Sequence, residues 1–305
     1  MHIAARLGWR IVHEVRDRLV PPRMGVPVIP PGARSWATDV LEPTLAQPVS
    51  QLCTHRQFDE PEFAFWTREM QLPLRTHRKL WEFVYILQSL RTHGMLAAGR
   101  KGLGFGTGQE PLPAVMAKNG VEVLATDLDT AKASARGWVD TNQHASALAD
   151  LNQPGICEPE RFARLVRFEF ADMNALPPRY NGFDFCWSAC ALEHLGSIDA
   201  GLEFIENSLR CLKPGGVAVH TTEYNCCSDS RTLKRGGTVI FRMQDFLRLG
   251  EKLRAQGHEV SFNFHQGDRE VDRHVDVPPY SQEPHLKLRL MKYVATSIGL
   301  TIRAR

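Results

Sequence analysis

From residue 102 onward, short apolar runs alternate with helix-length stretches, and this alternation leaves few folds open to the chain. Runs at Gly102–Phe105, Val121–Thr126, Val166–Phe170, Phe183–Ser188 and Val217–Thr221 have the length and the β-branched or aromatic content of buried strands. Helical patterns near Pro111–Lys118, Thr130–Thr141 and Gly201–Leu212 separate them, and Pro214-Gly215-Gly216 is expected to stop the last of these. Met243–Gln256 reads as a further helix, and Glu259–Phe264 and Gly299–Arg303 as two closing strands. Strand–helix alternation of this kind points to a mostly parallel sheet with helices on both faces, because each helical crossover carries the chain back to the same end of the sheet before the next strand starts. The expectation is therefore an α/β domain of seven strands over residues 96–305.

The first third of the chain has a different pattern. Ile3, Leu7, Ile11, Val12, Val15 and Leu19 recur at helical spacing with Arg6, Arg10, Arg16 and Arg18 between them. This predicts an amphipathic helix with a mildly basic face, packed on the protein itself or on a partner subunit. Contact of residues 3–20 with a membrane surface, and assembly into a homo-oligomer, are left open. Arg10, His13 and Glu14 interrupt any apolar core that a secretory signal would need. Seven prolines between residues 21 and 48 predict an extended arm, so residues 1–50 are read as helix plus arm. Asp59-Glu60-Pro61-Glu62 is a helix-start pattern. The stripe that follows, including Phe63, Trp66, Met70, Leu80, Trp81, Val84, Tyr85 and Leu87, predicts a helical region over 51–95. Core packing is the favoured reading of that stripe, and a lid over a substrate pocket is compatible with it.

Whole-chain totals narrow the function classes. A net charge of +3, with Lys and Arg spread along the chain, lacks the concentrated basic stripe of a nucleic-acid-binding domain. No run of 18 apolar residues predicts a membrane span. The seven cysteines complete no zinc pattern and read as reduced thiols, which points to the cytoplasm.

Candidate chemistry sits at the ends of the predicted strands. In Gly102-Leu-Gly-Phe-Gly-Thr-Gly108, Gly104, Gly106 and Gly108 let the backbone turn sharply and approach a ligand without Cβ interference. The spacing is not the dinucleotide fingerprint GxGxxG, since Thr107 and Gln109 stand where its next glycine would fall. Asp127 closes the second strand, 19 residues after Gly108, where a carboxylate accepts from ribose hydroxyls; its alternative role is a helix cap, which suits Asp129 better. Asp172 closes the third strand beside Met173, a carboxylate and a thioether suited to an adenine amino group and ring. Taken alone, Asp172 would be an ordinary turn residue.

These elements, followed in order by Phe183-Asp-Phe-Cys-Trp-Ser-Ala-Cys-Ala-Leu-Glu-His-Leu195 and Leu212-Lys-Pro-Gly-Gly216, resemble the class I S-adenosylmethionine-dependent methyltransferases over about residues 96–224. The resemblance implies a Rossmann-like α/β methyltransferase sheet and S-adenosyl-L-methionine as cofactor. It implies that Gly104, Gly106 and Gly108, with Phe105 between them, hold the cofactor's methionine portion. By the same resemblance Asp127 with Leu128 holds the ribose, and Asp172 with Met173 the adenine. One position departs from the pattern: an acid often stands two residues before the first motif glycine, and here that residue is Gly102. A main-chain carbonyl near Ser188 is the expected substitute contact.

Methyl transfer requires positioning and, for a hydroxyl acceptor, removal of a proton. His194, after the fourth strand, and His220, near the end of the fifth, are the candidate bases; the alternative for His194 is a helix-start histidine oriented toward the cofactor or solvent. The expected acceptor is a small polar molecule or glycan, methylated on oxygen. No metal is expected, because Arg269 and Arg273 alternate with Asp268, Glu270, Asp272 and Asp276. The polar, basic stretch Glu223–Arg242 is read as a loop at the sheet edge, equally suited to solvent or to an anionic acceptor. A nicotinamide oxidoreductase and a catalytically silent methyltransferase-like partner protein are the competing readings.

Overall fold

The computed structural model describes residues 28–129, 147–152, 155–281 and 283–305. The amphipathic pattern of residues 3–20 and the helical pattern of residues 130–141 lie outside this set. Twelve strands and seven α-helices are described. The strands are β1 (Ala37–Thr38), β2 (Ser50–Leu52), β3 (Lys101–Phe105), β4 (Glu122–Asp127), β5 (Val166–Phe170) and β6 (Phe183–Ala189). They continue with β7 (Leu212–Asn225), β8 (Glu259–Val260), β9 (Phe262–Asn263), β10 (Val275–Asp276), β11 (Lys287–Leu290) and β12 (Tyr293–Arg303). The helices are α1 (Pro61–Glu69), α2 (Arg78–Thr92), α3 (Leu112–Lys118), α4 (Pro159–Leu165), α5 (Ile198–Leu209), α6 (Met243–Ala255) and α7 (Glu270–Arg273).

All strands belong to one sheet, whose main path runs β1-β9-β2-β12-β7-β6-β3-β4-β5. The neighbours β7-β6-β3-β4-β5 are mutually parallel, and β12 lies antiparallel to β7 from Ala295↔Asn225 to Arg303↔Val217. The Rossmann-like architecture with helices on both faces is thus present, but the sheet has twelve strands rather than the expected seven. Three causes account for the difference. The run 259–264 breaks at Ser261 into β8, which pairs with β12, and β9, which pairs with β2 and β1. The proline-rich arm itself contributes β1, and β2 follows it. A return strand, β11, runs antiparallel to β12 and carries β10.

Side-chain alternation sends the two faces of each strand into two cores. Phe185, Trp187, Val217 and Val219 pack beneath α2, α3 and α4 with Trp81, Tyr85, Val115 and Phe162. Cys186 and Ala218 face α5 and α6, with Phe204, Ile205, Phe246 and Leu253. The aromatic stripe of α2 is therefore core: Trp81, Val84, Tyr85, Leu87 and Leu90 are fully buried. Each such side chain contributes roughly 1.5–3 kcal/mol through removal from water. Trp36 in the arm is edge-on to Phe262, and this contact anchors the arm to the sheet edge.

Two boundaries differ in kind. The helix expected to run to Leu212 ends at Leu209, and Pro214-Gly215-Gly216 lies inside β7 rather than capping a helix. Gly215, with φ +76°, turns the start of that strand so that its N–H meets the Ala304 carbonyl. Strand β7 also extends four residues beyond Thr221, so Glu223 and Asn225, read as loop, are buried strand residues.

Candidate active site

The carboxyl ends of β3, β4, β5 and β6 converge on one turn. After Phe105 the backbone takes left-handed conformations at Gly106 (φ +58°) and Gly108 (φ +51°), which glycine adopts without a Cβ penalty. A methyl group on Gly106 would lie 2.9 Å from the Ala191 Cβ and 3.4 Å from the Met173 sulfur. The loops after β3, β5 and β6 therefore meet there. Asp127, buried at the end of β4, accepts from the Gly108 N–H (3.1 Å) through one carboxylate oxygen and from the Leu128 N–H (2.7 Å) through the other. Thr107 donates from its N–H and its hydroxyl to the Thr126 carbonyl, which holds the turn against β4. Asp172 is half-buried and accepts from the Asn174 N–H at 3.0 Å.

Gly106, Gly108, Asp127, Leu128 and Met173 are thus brought together. Phe105 and Ser188 are turned elsewhere: Phe105 packs edge-on against Phe204, and Ser188 is fully buried against His220. The glycine at 102 has a steric cause. A Cβ there would sit 2.4 Å from the Phe185 ring, so no acid fits. Glu110, which sequence reasoning passed over, is a buried carboxyl on the same turn. It accepts from the Trp187 indole N–H at 2.6 Å, and burial pushes its carboxyl well above the usual carboxylate range.

The two histidines differ. Ser208 donates its hydroxyl to the Ile205 carbonyl and so accepts from His220 Nε2–H at 3.1 Å. The other ring nitrogen, Nδ1, then accepts from the Ser188 hydroxyl at 2.8 Å. With both nitrogens occupied and the residue fully buried, His220 is a core polar group rather than a base, and burial pushes its pKa down to about 3. Because the unfolded chain then binds more protons below pH 6.5, this histidine should withdraw about 2 kcal/mol of stability between pH 7.5 and pH 5. In urea unfolding at the two pH values, His220→Gln should shrink the pH difference by about that amount; an unchanged difference would contradict the burial. His194 is half-buried on the short turn Leu192–His194, with Nδ1 2.7 Å from the Gly237 carbonyl and Nε2 4.0 Å from Glu193.

Beneath the first turn of α2 lies an ionic cluster that sequence reasoning missed. Arg78 is buried and donates to Glu223 (2.5 Å) and to the Ser297 hydroxyl (2.9 Å), with Glu82 3.5 Å away. Lys79 reaches Glu82 at 3.3 Å, and Ser297 donates to Glu82. Burial opposes the charge on Arg78, but the Glu223 and Glu82 carboxylates outweigh it and hold the guanidinium protonated. Glu193 accepts from Thr222 at 3.0 Å, and Cys190 adopts φ +46°, uncommon for a residue with a side chain. One signal was available: Glu82, four residues after Arg78, interrupts the apolar run Leu80–Leu87.

The acids near residue 270 are placed elsewhere. Asp272 is buried and accepts from the N–H groups of His55 and Arg269, Arg269 pairs with Asp59, and Asp276 pairs with His285 at 2.6 Å. They form a brace between α7, the turn His55–Asp59 and the β10–β11 region rather than one cluster.

Residues 103–220 match the family model described as a methyltransferase domain. Over these residues, 118 of the chain's 305, the chain is similar to a methyltransferase domain. No curated protein sequence matches the chain. Among solved structures it is similar to a putative sarcosine dimethylglycine methyltransferase from Galdieria sulphuraria, at 22% identity and a TM-score of 0.36, covering 47% of this chain and 46% of that one. It is also similar to a phosphoethanolamine N-methyltransferase from Haemonchus contortus, at 19% identity and a TM-score of 0.36, covering 54% and 35%. The CcbJ methyltransferase from Streptomyces caelestis is similar at 14% identity and a TM-score of 0.41, covering 71% and 94%. The chain spans half or less of the length of the first two. Among the described residues, no helix is long and apolar enough to cross a membrane.

Proposed function

We propose that this chain transfers a methyl group from S-adenosylmethionine to the oxygen of a small polar or glycan-type acceptor. The observation that carries the reading is the convergence of the Gly106–Gly108 turn, Asp127 and Met173 at the carboxyl ends of adjacent parallel strands, where open α/β sheets bind ligands. The turn fits such a cofactor because the space beside Gly106 is bounded by Met173 and Ala191, and any side chain there would fill it. Gly104, Gly106 and Gly108 would line the methionine portion, Asp127 the ribose, and Asp172 with Met173 the adenine. When bound, the cofactor supplies an electrophilic methyl on sulfonium; the chain's residues position the acceptor and remove its proton. His194 is the proposed base. The seven buried free cysteines favour a reducing compartment, the cytoplasm.

Calorimetry separates this reading from a nicotinamide enzyme: S-adenosylhomocysteine should bind and NAD should not, and tighter NAD binding would overturn it. Asp127→Ala should weaken S-adenosylhomocysteine binding by about 1.5–3 kcal/mol, the range for hydrogen bonds to a charged group. Unchanged affinity in a folded variant removes Asp127 from the site. A mass-spectrometric screen of polar and sugar acceptors for the gain of one methyl group identifies the substrate and separates an enzyme from a silent partner.

A further inference from the structure

Around the acceptor side of this site, Cys190, Glu193 and Glu223 come together from two neighbouring strand ends. Cys190 and Glu193 follow β6, and Glu223 lies in β7. One sulfur or carboxylate oxygen from each lies within 4.8 Å of the others, and all three residues are buried. The surrounding charges do not balance. Glu82, Glu193 and Glu223 bring three carboxylates, while Arg78 and Lys79 bring two cations. Arg78 engages only one oxygen of Glu223; the second is buried and has no hydrogen-bond partner, on a side chain only 6% exposed. A buried carboxylate oxygen left without a donor is costly, and native structures leave few of them.

We propose that Cys190, Glu193 and Glu223 form a binding site for a divalent cation of the zinc type. Carboxylate oxygens alone would suit magnesium or calcium, but a thiolate in the set selects a softer ion. Tetrahedral zinc with one sulfur and two oxygens holds its ligand atoms roughly 3.5 Å apart, and those of Cys190, Glu193 and Glu223 lie within 4.8 Å of one another. As the sulfur–metal bond forms, the thiol proton passes to solvent, so the cluster gains one negative charge from sulfur and two positive charges from the ion. Three carboxylates and one thiolate are then matched by Arg78, Lys79 and a divalent ion. A fourth position remains for an oxygen of water or acceptor. This site runs against the expectation that the chain holds no metal, which rested on the acids near residue 270 and on the cysteines completing no zinc pattern.

The test uses the full chain, stripped with a chelator and titrated with cobalt(II) alone, then with zinc in competition. One cobalt ion per chain should bind with a thiolate-to-metal charge-transfer band, and zinc should displace it. Cys190→Ser should abolish the band, and Glu223→Gln should weaken binding at least tenfold. Cys211→Ser, at a buried thiol away from the cluster, should leave both unchanged. If Cys190→Ser does not fold, Glu193→Gln provides the same comparison of affinity. No band, or a band that survives Cys190→Ser, overturns the proposal. The proposal rests on the methyltransferase reading only for its position beside the acceptor. Metal-free protein that still binds S-adenosylhomocysteine but takes up no cobalt would defeat the metal site alone.

Discussion

Replacing Arg78 with alanine should cost about 3–5 kcal/mol of folding stability, the loss expected when one partner of a buried ion pair is removed. The guanidinium is buried beneath the sheet-facing turn of α2 and spends its donors on Glu223 and Ser297, with Glu82 within 3.5 Å. Without it, the Glu223 carboxylate loses the cation it is hydrogen-bonded to, and Glu82 keeps Lys79, which is half-exposed. The position also opposes the helix macrodipole, because two cations stand in the first turn of α2. Their retention there makes sense only through the carboxylates of α2 and β7. Urea unfolding in the presence of a chelator measures the loss with no metal contribution. The double variant Arg78→Leu/Glu223→Leu should recover much of it, because both charges leave together. A loss below about 1 kcal/mol in Arg78→Ala would mean that water reaches the cluster and the pair is not buried.

What could be read without coordinates follows from which signals are local. The strands over 166–170 and 183–189 and the helices starting near 112 and 243 come from periodicity, which is a property of contiguous residues, and they agree with the structure to within a residue or two. The glycine turn and Asp127 could be placed at strand ends because each follows or closes a contiguous apolar run. The sheet's far edge could not be read. Segments β1 and β2 become strands only because the unpaired edges of β9 and β12 offer them hydrogen bonds, and two or three residues carry no period of their own. The ionic cluster was hidden for the same reason. Arg78, Glu82 and Glu223 look like surface charges until α2 is laid across β7, 145 residues away in the chain from Arg78 to Glu223. His220 was misread because a histidine at a strand end in sequence says nothing of the Ser208 hydroxyl that reaches it from α5.

His194→Ala should lower turnover by about 10²–10⁴-fold, the usual contribution of a general base to proton removal from a weak oxygen nucleophile. The geometry that favours this residue is its orientation. A ring nitrogen 2.7 Å from the Gly237 carbonyl must be a donor, because a carbonyl can only accept; Nδ1 therefore carries the proton and the basic lone pair belongs to Nε2. That nitrogen faces the buried Glu193 carboxylate at 4.0 Å. The turn holding both residues begins three residues after β6 ends, on the side of the Gly106 turn marked by Ala191. Affinity for S-adenosylhomocysteine should stay nearly the same, since none of the residues assigned to the cofactor is removed. His194→Gln makes the test specific: its amide can still donate to the Gly237 carbonyl but cannot take up a proton at neutral pH. It should be as slow as alanine if His194 is the base, whereas recovery of turnover in His194→Gln would reduce the residue to a brace for the loop at Gly237. Steady-state rates with the acceptor found by the methyl-gain screen, set beside calorimetric affinities for the same variants, decide between the two.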